Sequence, residues 1–342
     1  MTTLLTLIVV VLGIIAVVRV VRVLELSTEL SGEDDTVINR SDNRFNGVMM
    51  IIFLVLGVGA MVYFTLDAKK YLLPISASKH GVITDKLLDV NWVLILVVFL
   101  ATQFLLFYYA FKYHFRKDAK AYFYPINHTL EVVWTVIPTV VLGGMIVYGL
   151  TVWNNITRPA PNDATVIEIY GKQFDWTVRY AGADNKLGRS NFRLISDDNP
   201  LGVDSTDEAS RDDIITKELH LPVPSKILLK FHSRDVIHSA YLPHFRTQMN
   251  CVPGMTTEFF FEPTMTTQAM RAETQNDKFS YVLLCNKICG VAHYNMKMNV
   301  VAEGSEQFNK WVMTQPLVFP KTSETPVQAP APETATASAD KH

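Results

Sequence analysis

Several features that would point to other classes of protein are missing from this sequence. It has 3 cysteines in 342 residues and no Cys-x-x-Cys-His motif, so we expect no attached haem of the c type. Its formal net charge is −2, which argues against the basic surface that nucleic-acid binding needs. No basic residue precedes the first apolar stretch and no small-residue cleavage site is clear, although a signal peptide would need both.

Charge is also missing from four long stretches rich in valine, isoleucine, leucine and phenylalanine. They cover residues 1–18, 47–66, 90–111 and 132–157. Each approaches the roughly 20 residues that an α-helix needs to cross a bilayer, so the sequence predicts four transmembrane helices. The first stretch is the shortest. Because Arg19 and Arg22 follow it, we interpret it as a retained span rather than a cleaved signal.

The segment between the third and fourth stretches indicates the orientation. Basic residues outnumber acidic ones there, which is typical of a cytoplasmic loop. The basic residues are Lys112, Arg116, Lys117 and Lys120, and the acid is Asp118. Alternation then places the part after the fourth stretch on the other side. We expect a multi-pass protein of a bacterial-type inner membrane with its soluble part in the periplasm.

The residues after the fourth stretch have the pattern of a soluble β domain, 158–310. Short segments that alternate apolar and polar residues, separated by turn signals, predict an antiparallel sandwich or barrel. These segments are VIEIYGKQFDWTVRY, KILLKFHSRDVIHSAYL, TTEFFFEP and FSYVLLCN. Within the domain, residues 196–213 form an acidic loop with seven carboxylates and one arginine.

Five parts are therefore expected along the chain. They are 1–45 with the first span and a cytoplasmic loop, 46–89 with the second span and an external loop, 90–157 as a transmembrane hairpin, the β domain 158–310, and a tail 311–342. The tail is predicted to be disordered because Pro, Ala, Thr and Ser dominate its composition.

The segment CNKICGVAHYNM concentrates soft metal donors. It contains Cys285, Cys289, His293 and Met296 within twelve residues, and thiolates with a thioether favour copper. A single blue-copper ion needs one cysteine, so two thiolates four residues apart suggest two bridged ions. A disulfide and a zinc site are the alternatives. A disulfide leaves His293 and Met296 unexplained, and zinc rarely uses methionine.

Four motifs in order make the chain resemble subunit 2 of cytochrome c oxidase, the copper-bearing subunit of haem–copper terminal oxidases. They are EVVWTVIPTVVL, GKQFDW, DVIHSAYLP and CNKICGVAHYNM, and the resemblance covers roughly residues 90–310. The resemblance implies a cupredoxin-like barrel whose two copper ions form a binuclear CuA centre. It also implies the ligands: bridging Cys285 and Cys289, terminal His238 and His293, and weak ligands in Met296 and the backbone carbonyl of Lys287. Without this resemblance, a lone His238 in a strand would more often be structural.

The same resemblance implies an electron relay. A c-type cytochrome or cytochrome domain would supply electrons, and haem in the catalytic subunit 1 would use them to reduce oxygen to water while protons are pumped. This chain would hold no haem. Its partners would be subunit 1, other oxidase subunits and the membrane, and its two extra N-terminal spans would suit a quinol-oxidising complex. A copper-binding membrane anchor or chaperone without electron transfer is the alternative.

Three further positions gain a hypothesis from the resemblance. Glu131, at the start of the fourth span, would stand at the entrance of a proton channel, or else only stabilise a helix N-terminus. Phe174 occupies the place of a tryptophan that accepts the electron, so electron entry near Phe174 and Trp176 is a hypothesis. Lys287 stands where the family often has a magnesium-binding glutamate, which predicts that this magnesium is absent or held differently.

Overall fold

The N-terminal part of the chain consists of long apolar helices. A computed structural model of the protein describes residues 2–31, 40–116, 119–120 and 122–319. The helices are α1 Thr2–Ser31, α2 Arg40–Asp67, α3 Lys79–Lys112 and α4 His128–Ile156. All four are long and apolar enough to cross a membrane, which confirms the predicted spans. Lys117 and Asp118, which entered the orientation argument, lie outside the described residues.

Over residues 122–319, which the structure describes, the soluble part contains ten strands in two sheets of five. The strands are β1 Thr165–Lys172, β2 Asp175–Tyr180, β3 Ile214–Thr216, β4 Leu219–Val223, β5 Ile227–Ser233, β6 His238–Leu242, β7 Thr247–Cys251, β8 Thr257–Phe261, β9 Tyr281–Cys285 and β10 Lys297–Gly304. One sheet has the order β3-β2-β1-β5-β8 and the other β4-β10-β9-β6-β7. The pairs β1–β5 and β4–β10 are parallel, so the sheets are mixed where antiparallel ones were expected. Long connections separate the strands of each pair along the chain, as parallel pairing requires.

Both sheets contribute to one apolar core. In β5 the side chains of Ile227, Leu229 and Phe231 are fully buried, as the alternation in this segment predicts. Leu283 in β9 and the indole of Trp176 in β2 are also fully buried. Burial of one such side chain contributes about 1.5–3 kcal/mol, so the strand ends that border the core are held firmly.

The beginning of α3 belongs with the soluble part. Contacts divide the chain into one compact unit of residues 1–72 and 91–137 and another of residues 73–90 and 138–342, a division that differs from the predicted boundaries. Arg246 holds the start of α3 there, because its Nε and Nη2 donate to the two carboxylate oxygens of Asp85, each at 2.9 Å. Its Nη2 also donates to the carbonyl of Pro74 at 2.5 Å.

Two short helices complete the soluble part, α5 Thr267–Thr274 and α6 Ser305–Thr314. The predicted start of a disordered tail at residue 311 is wrong, because α6 continues through it. Trp311 of α6 stacks on His220 with ring centroids 3.8 Å apart and also contacts Tyr180 edge-on. These aromatic contacts bind the helix to the sheets. Residues 320–342 of the predicted tail lie outside the described residues.

Candidate metal centre

Three strand ends bring the predicted ligands together. Cys285 ends β9, β10 begins at residue 297, and residues 286–296 between them form what we call the copper loop. The amide of Cys285 donates to the carbonyl of Met296 at 3.0 Å, which closes the base of this loop. His238 begins β6, which pairs with β9 so that Ala240 lies opposite Cys285. The imidazole of His238 is thereby placed beside the first cysteine.

The donor atoms form one continuous cluster around the two thiols. The sulfur atoms of Cys285 and Cys289 are 3.9 Å apart. Nδ1 of His238 lies 3.8 Å from the sulfur of Cys285, and the carbonyl oxygen of Lys287 lies 3.2 Å from the same sulfur. On the other side, Nδ1 of His293 and Sδ of Met296 lie 3.6 and 3.8 Å from the sulfur of Cys289. All six predicted metal ligands therefore meet in one place.

The geometry separates the alternatives raised by the sequence. The two sulfurs are not bonded, since a disulfide requires about 2.05 Å between them. The nearby thioether of Met296 suits copper better than zinc. Burial and the neighbouring Cys285 raise the pKa of the Cys289 thiol to about 11. A metal must therefore displace thiol protons when it binds here.

A carboxylate behind His238 orients the imidazole. Nε2 of His238 lies 2.8 Å from Oδ1 of Asp235, so a proton on Nε2 is donated to the carboxylate and Nδ1 keeps its lone pair toward Cys285. Burial opposes ionisation of Asp235, but hydrogen bonds from the Gln173 amide, from His238 and from the Val236 amide lower its pKa below the ordinary value. An ionised Asp235 thus keeps His238 in the tautomer that a metal needs.

The two residues of the electron-entry hypothesis lie beside this cluster in different surroundings. Trp176 is fully buried, and its indole meets the imidazole of His238 edge-on with centroids 6.0 Å apart. Phe174 is half-buried in the turn between β1 and β2, against Gly290 of the copper loop. A partner protein can reach Phe174 from solvent, whereas Trp176 contacts only the interior.

The remaining candidate, Glu131, lies in the first turn of α4. Its carboxylate is 3.1 Å from Nδ1 of His128, and its amide donates to the carbonyl of Asn127 at 2.9 Å. These contacts suit a carboxylate at a helix N-terminus. They leave the side chain exposed in the isolated chain.

Sequence reasoning missed two residues of this site, Asp235 and Gln173. Asp235 stands three residues before His238 in the DVIH motif, and that spacing was an available signal. The backbone amide of Gln173 donates to Oδ2 of Asp235 at 2.7 Å, and its side-chain amide donates to the carbonyl of Cys289 at 2.5 Å. Neither partner of Gln173 is a sequence neighbour, so no local sequence pattern predicts these hydrogen bonds.

Known proteins match both parts of the chain. The models of the cytochrome C oxidase subunit II transmembrane domain and periplasmic domain match residues 67–152 and 165–304. The alternative cytochrome c oxidase subunit 2 of Bradyrhizobium diazoefficiens is 34% identical over 271 residues, which cover 78% of this chain and 91% of the relative. Cytochrome c oxidase subunit 2 of Synechocystis sp. is 26% identical over 282 residues, which cover 77% and 81%.

A solved structure, the periplasmic domain of subunit II of cytochrome oxidase of Bradyrhizobium japonicum, is also similar. It covers 46% of this chain and 96% of its own length, at 23% identity and a TM-score of 0.30. The matched family models begin at residue 67, so α1 and nearly all of α2 precede them. From residue 67 onward, the spanning helices and the ligand-bearing domain both match. The chain therefore belongs to the cytochrome c oxidase subunit II family, as a multi-pass membrane protein with a periplasmic domain.

Proposed function

We propose that this chain is the electron-receiving subunit of a respiratory cytochrome c oxidase. Electrons from a c-type cytochrome enter at the cluster of His238, Cys285, Cys289, His293 and Met296. They continue to haem in the catalytic subunit, where oxygen is reduced to water and protons are pumped. The observation that carries this proposal is the pair of sulfurs 3.9 Å apart with one imidazole beside each.

The donor set fits a binuclear copper centre. When bound, such a pair of copper ions supplies reversible one-electron chemistry. Cys285 and Cys289 would hold the copper, because their sulfurs face each other inside the cluster. His238 and His293 would be further ligands, with the Lys287 carbonyl and Met296 as weaker donors. The strands that carry these residues border the packed core, so the protein changes shape little when an electron arrives or leaves.

The burial of the donors argues against a copper chaperone. Delivery of copper to another protein requires ligands that the recipient can reach. Here His238 and Met296 are almost completely inaccessible, and both cysteines are also buried. Buried ligands retain a metal, which suits a permanent redox centre. The copper-anchor alternative is therefore less well supported.

The acidic loop offers the cytochrome a smaller charged surface than its composition suggests. Four of its carboxylates stabilise the folded domain. Asp204 and Asp207 form ion pairs with Arg189, and Asp213 forms one with Arg179. Asp212 accepts hydrogen bonds from two backbone amides. Asp197, Asp198 and Glu208 remain exposed. These three carboxylates would attract a basic cytochrome and raise its association rate.

Phe174 would provide the apolar contact for that cytochrome. It is half-buried over the copper loop and therefore offers one face to a partner. Trp176 lies behind Phe174, against His238. Because it is fully buried, it would contact the metal centre from inside the domain and not the cytochrome. The extra helices α1 and α2 would serve a further membrane partner, such as a quinol-oxidising complex.

Lys287 would change the metal content at the contact with the catalytic subunit. Its carbonyl lies against Cys285, while its side chain is exposed. A protonated ammonium cannot bind magnesium, and its charge would replace that of the ion. Metal analysis of the purified complex tests this idea, and one stoichiometric magnesium ion beside the copper loop would refute it.

Electron paramagnetic resonance of the copper-loaded full-length chain tests the proposed centre. The expected spectrum is that of one unpaired electron shared by two copper nuclei. Cys289→Ser should abolish this signal, because one of the two shared sulfurs is lost. Cys251→Ala is the matched control, since Cys251 is also a buried cysteine but is not among the predicted ligands. A spectrum of a single isolated copper ion in the parent protein would overturn the proposal.

A further inference from the structure

We infer that Gln173 is a positioning residue of the metal centre, which ties the carboxylate behind His238 to the backbone of the copper loop. The inference rests on the proposed binuclear centre and extends it to a residue outside the ligand set. Gln173 lies in the two-residue turn between β1 and β2, which the pair Lys172 and Asp175 closes. The turn brings Gln173 within hydrogen-bond distance of Asp235, which precedes β6, and of Cys289, which follows β9.

The first bond of Gln173 acts on His238. Its backbone amide donates to Oδ2 of Asp235 at 2.7 Å, while Oδ1 of the same carboxylate meets Nε2 of His238 at 2.8 Å. The amide of Val236 also donates to Oδ1 at 2.7 Å. The carboxylate therefore has a fixed orientation, and the imidazole that depends on it is fixed too.

The second bond of Gln173 acts on Cys289. Its side-chain amide donates to the carbonyl of Cys289 at 2.5 Å. The next residue, Gly290, has a backbone φ of +143°, and a Cβ there would come within 2.8 Å of the Phe174 ring and 2.9 Å of Nε2 of Gln173. The turn thus packs on the copper loop so closely that only glycine fits at Gly290.

One residue consequently links ligands that come from different parts of the chain. His238 is reached through the backbone of Gln173, and Cys289 is reached through its side chain. A side-chain substitution can therefore remove the link to the copper loop while the bond to Asp235 persists. Loss of the link should let the loop relax away from the turn between β1 and β2, which would change the geometry of the centre and its hold on copper.

The test compares Gln173→Met with the parent, using the full-length chain in detergent. Methionine keeps the length of the side chain but cannot donate to the Cys289 carbonyl. Removal of one net hydrogen bond should accelerate copper loss to a competing chelator by about 2- to 13-fold. The hyperfine pattern in the paramagnetic resonance spectrum and the reduction potential should also shift, which a remote stability defect would not cause.

Gln315→Met is the matched control. Nε2 of Gln315 also donates to a backbone carbonyl, that of Trp311 at 3.3 Å, but at the end of α6. This variant should release copper at the parent rate with the parent spectrum. Gln173→Asn provides a second test, because its shorter side chain cannot span the same distance, and it should resemble Gln173→Met.

The outcomes separate this inference from the proposed function. A parent protein without a shared-electron copper signal would refute the proposed centre. A normal parent together with Gln173→Met and Gln173→Asn variants that keep its copper retention, spectrum and potential would refute the role of Gln173. Thermal unfolding of the copper-free variants shows whether they are folded, and the exposed position of Gln173 predicts that they are.

Discussion

Replacement of Arg179 by methionine should destabilise the periplasmic domain severely. The guanidinium is almost fully buried, and its Nε donates to Glu168 at 2.5 Å while Nη1 lies 3.3 Å from Asp213. Nη1 also donates to the carbonyl of Gly188 at 3.0 Å. Methionine fills much of the same volume but leaves Asp213 without its cation and leaves Glu168 with the imidazole of His232, 2.9 Å away, as its remaining partner.

The expected size of the effect follows from this burial. Breaking a buried ion pair by removing one partner costs about 3–5 kcal/mol. For a domain of this size each kcal/mol lowers the melting temperature by about 2–4 °C, so Arg179→Met should lower it by roughly 6–20 °C. The pair Lys217 and Asp175 provides the control, because Lys217 is 60% exposed and Lys217→Met should change stability by less than about 1 kcal/mol.

Thiol labelling during a thermal ramp is a suitable assay. The chain has 3 cysteines, and all of them are buried in the soluble domain, so a thiol-reactive dye reports unfolding of that domain and not of the membrane helices. The copper-free chain in detergent should be used, since copper would block two thiols.

A compensating variant tests whether the loss of stability is caused by charge. The triple substitution Arg179→Met, Glu168→Gln and Asp213→Asn also removes the two carboxylate charges that faced Arg179 and should recover most of the lost stability. A melting temperature of Arg179→Met within about 2 °C of the parent would refute the estimate. A triple variant as unstable as Arg179→Met alone would show that packing, not charge, dominates.

Four other predictions concern pH, the copper loop, the membrane and the donor. Burial raises the pKa of Asp213 from 3.8 to about 6. Between these pH values the folded state binds more protons than the unfolded state, so the free energy of unfolding should fall as pH rises. Asp213→Asn should flatten that part of the curve of stability against pH. Gly290→Ala should release copper several-fold faster, whereas Gly254→Ala, with φ +74° and open space around it, should not. Glu131→Gln should lower turnover and proton pumping of the complex, and unchanged values would contradict a proton-channel role. Cytochrome oxidation should slow as salt rises, and a flat profile would exclude docking through the acidic loop.

Local features of the sequence predicted the spans and the close grouping of the candidate ligands. Hydropathy alone identifies α1 to α4, because a helix in lipid must be apolar over its whole length. The spacing of Cys285, Cys289, His293 and Met296 indicates that these donors lie together, because a short loop keeps them close. His238 lies in the same cluster, but its inclusion among the candidates depended on a family resemblance and not on spacing.

Contacts between distant parts of the chain could not be predicted in this way. Arg179 falls in an alternating strand where a charged residue should face solvent, yet the connection that includes Gly188 and Asp213 covers it. The bond between Gln173 and Cys289 joins residues 116 positions apart, and that between Arg246 and Asp85 joins residues 161 apart. Such pairs arise from the topology of the sheets, which no local pattern records.

The contact between Arg246 and Asp85 has a consequence for the limits of the soluble domain. Together with the hydrogen bond from the amide of Ala77 to the carbonyl of His244 at 2.7 Å, it fastens the first turns of α3 to the residues that precede β7. A fragment that began at residue 158 would therefore leave the nearly buried guanidinium of Arg246 without its carboxylate. Residues 74–85 precede α4 in the chain, yet they are part of the folded soluble domain.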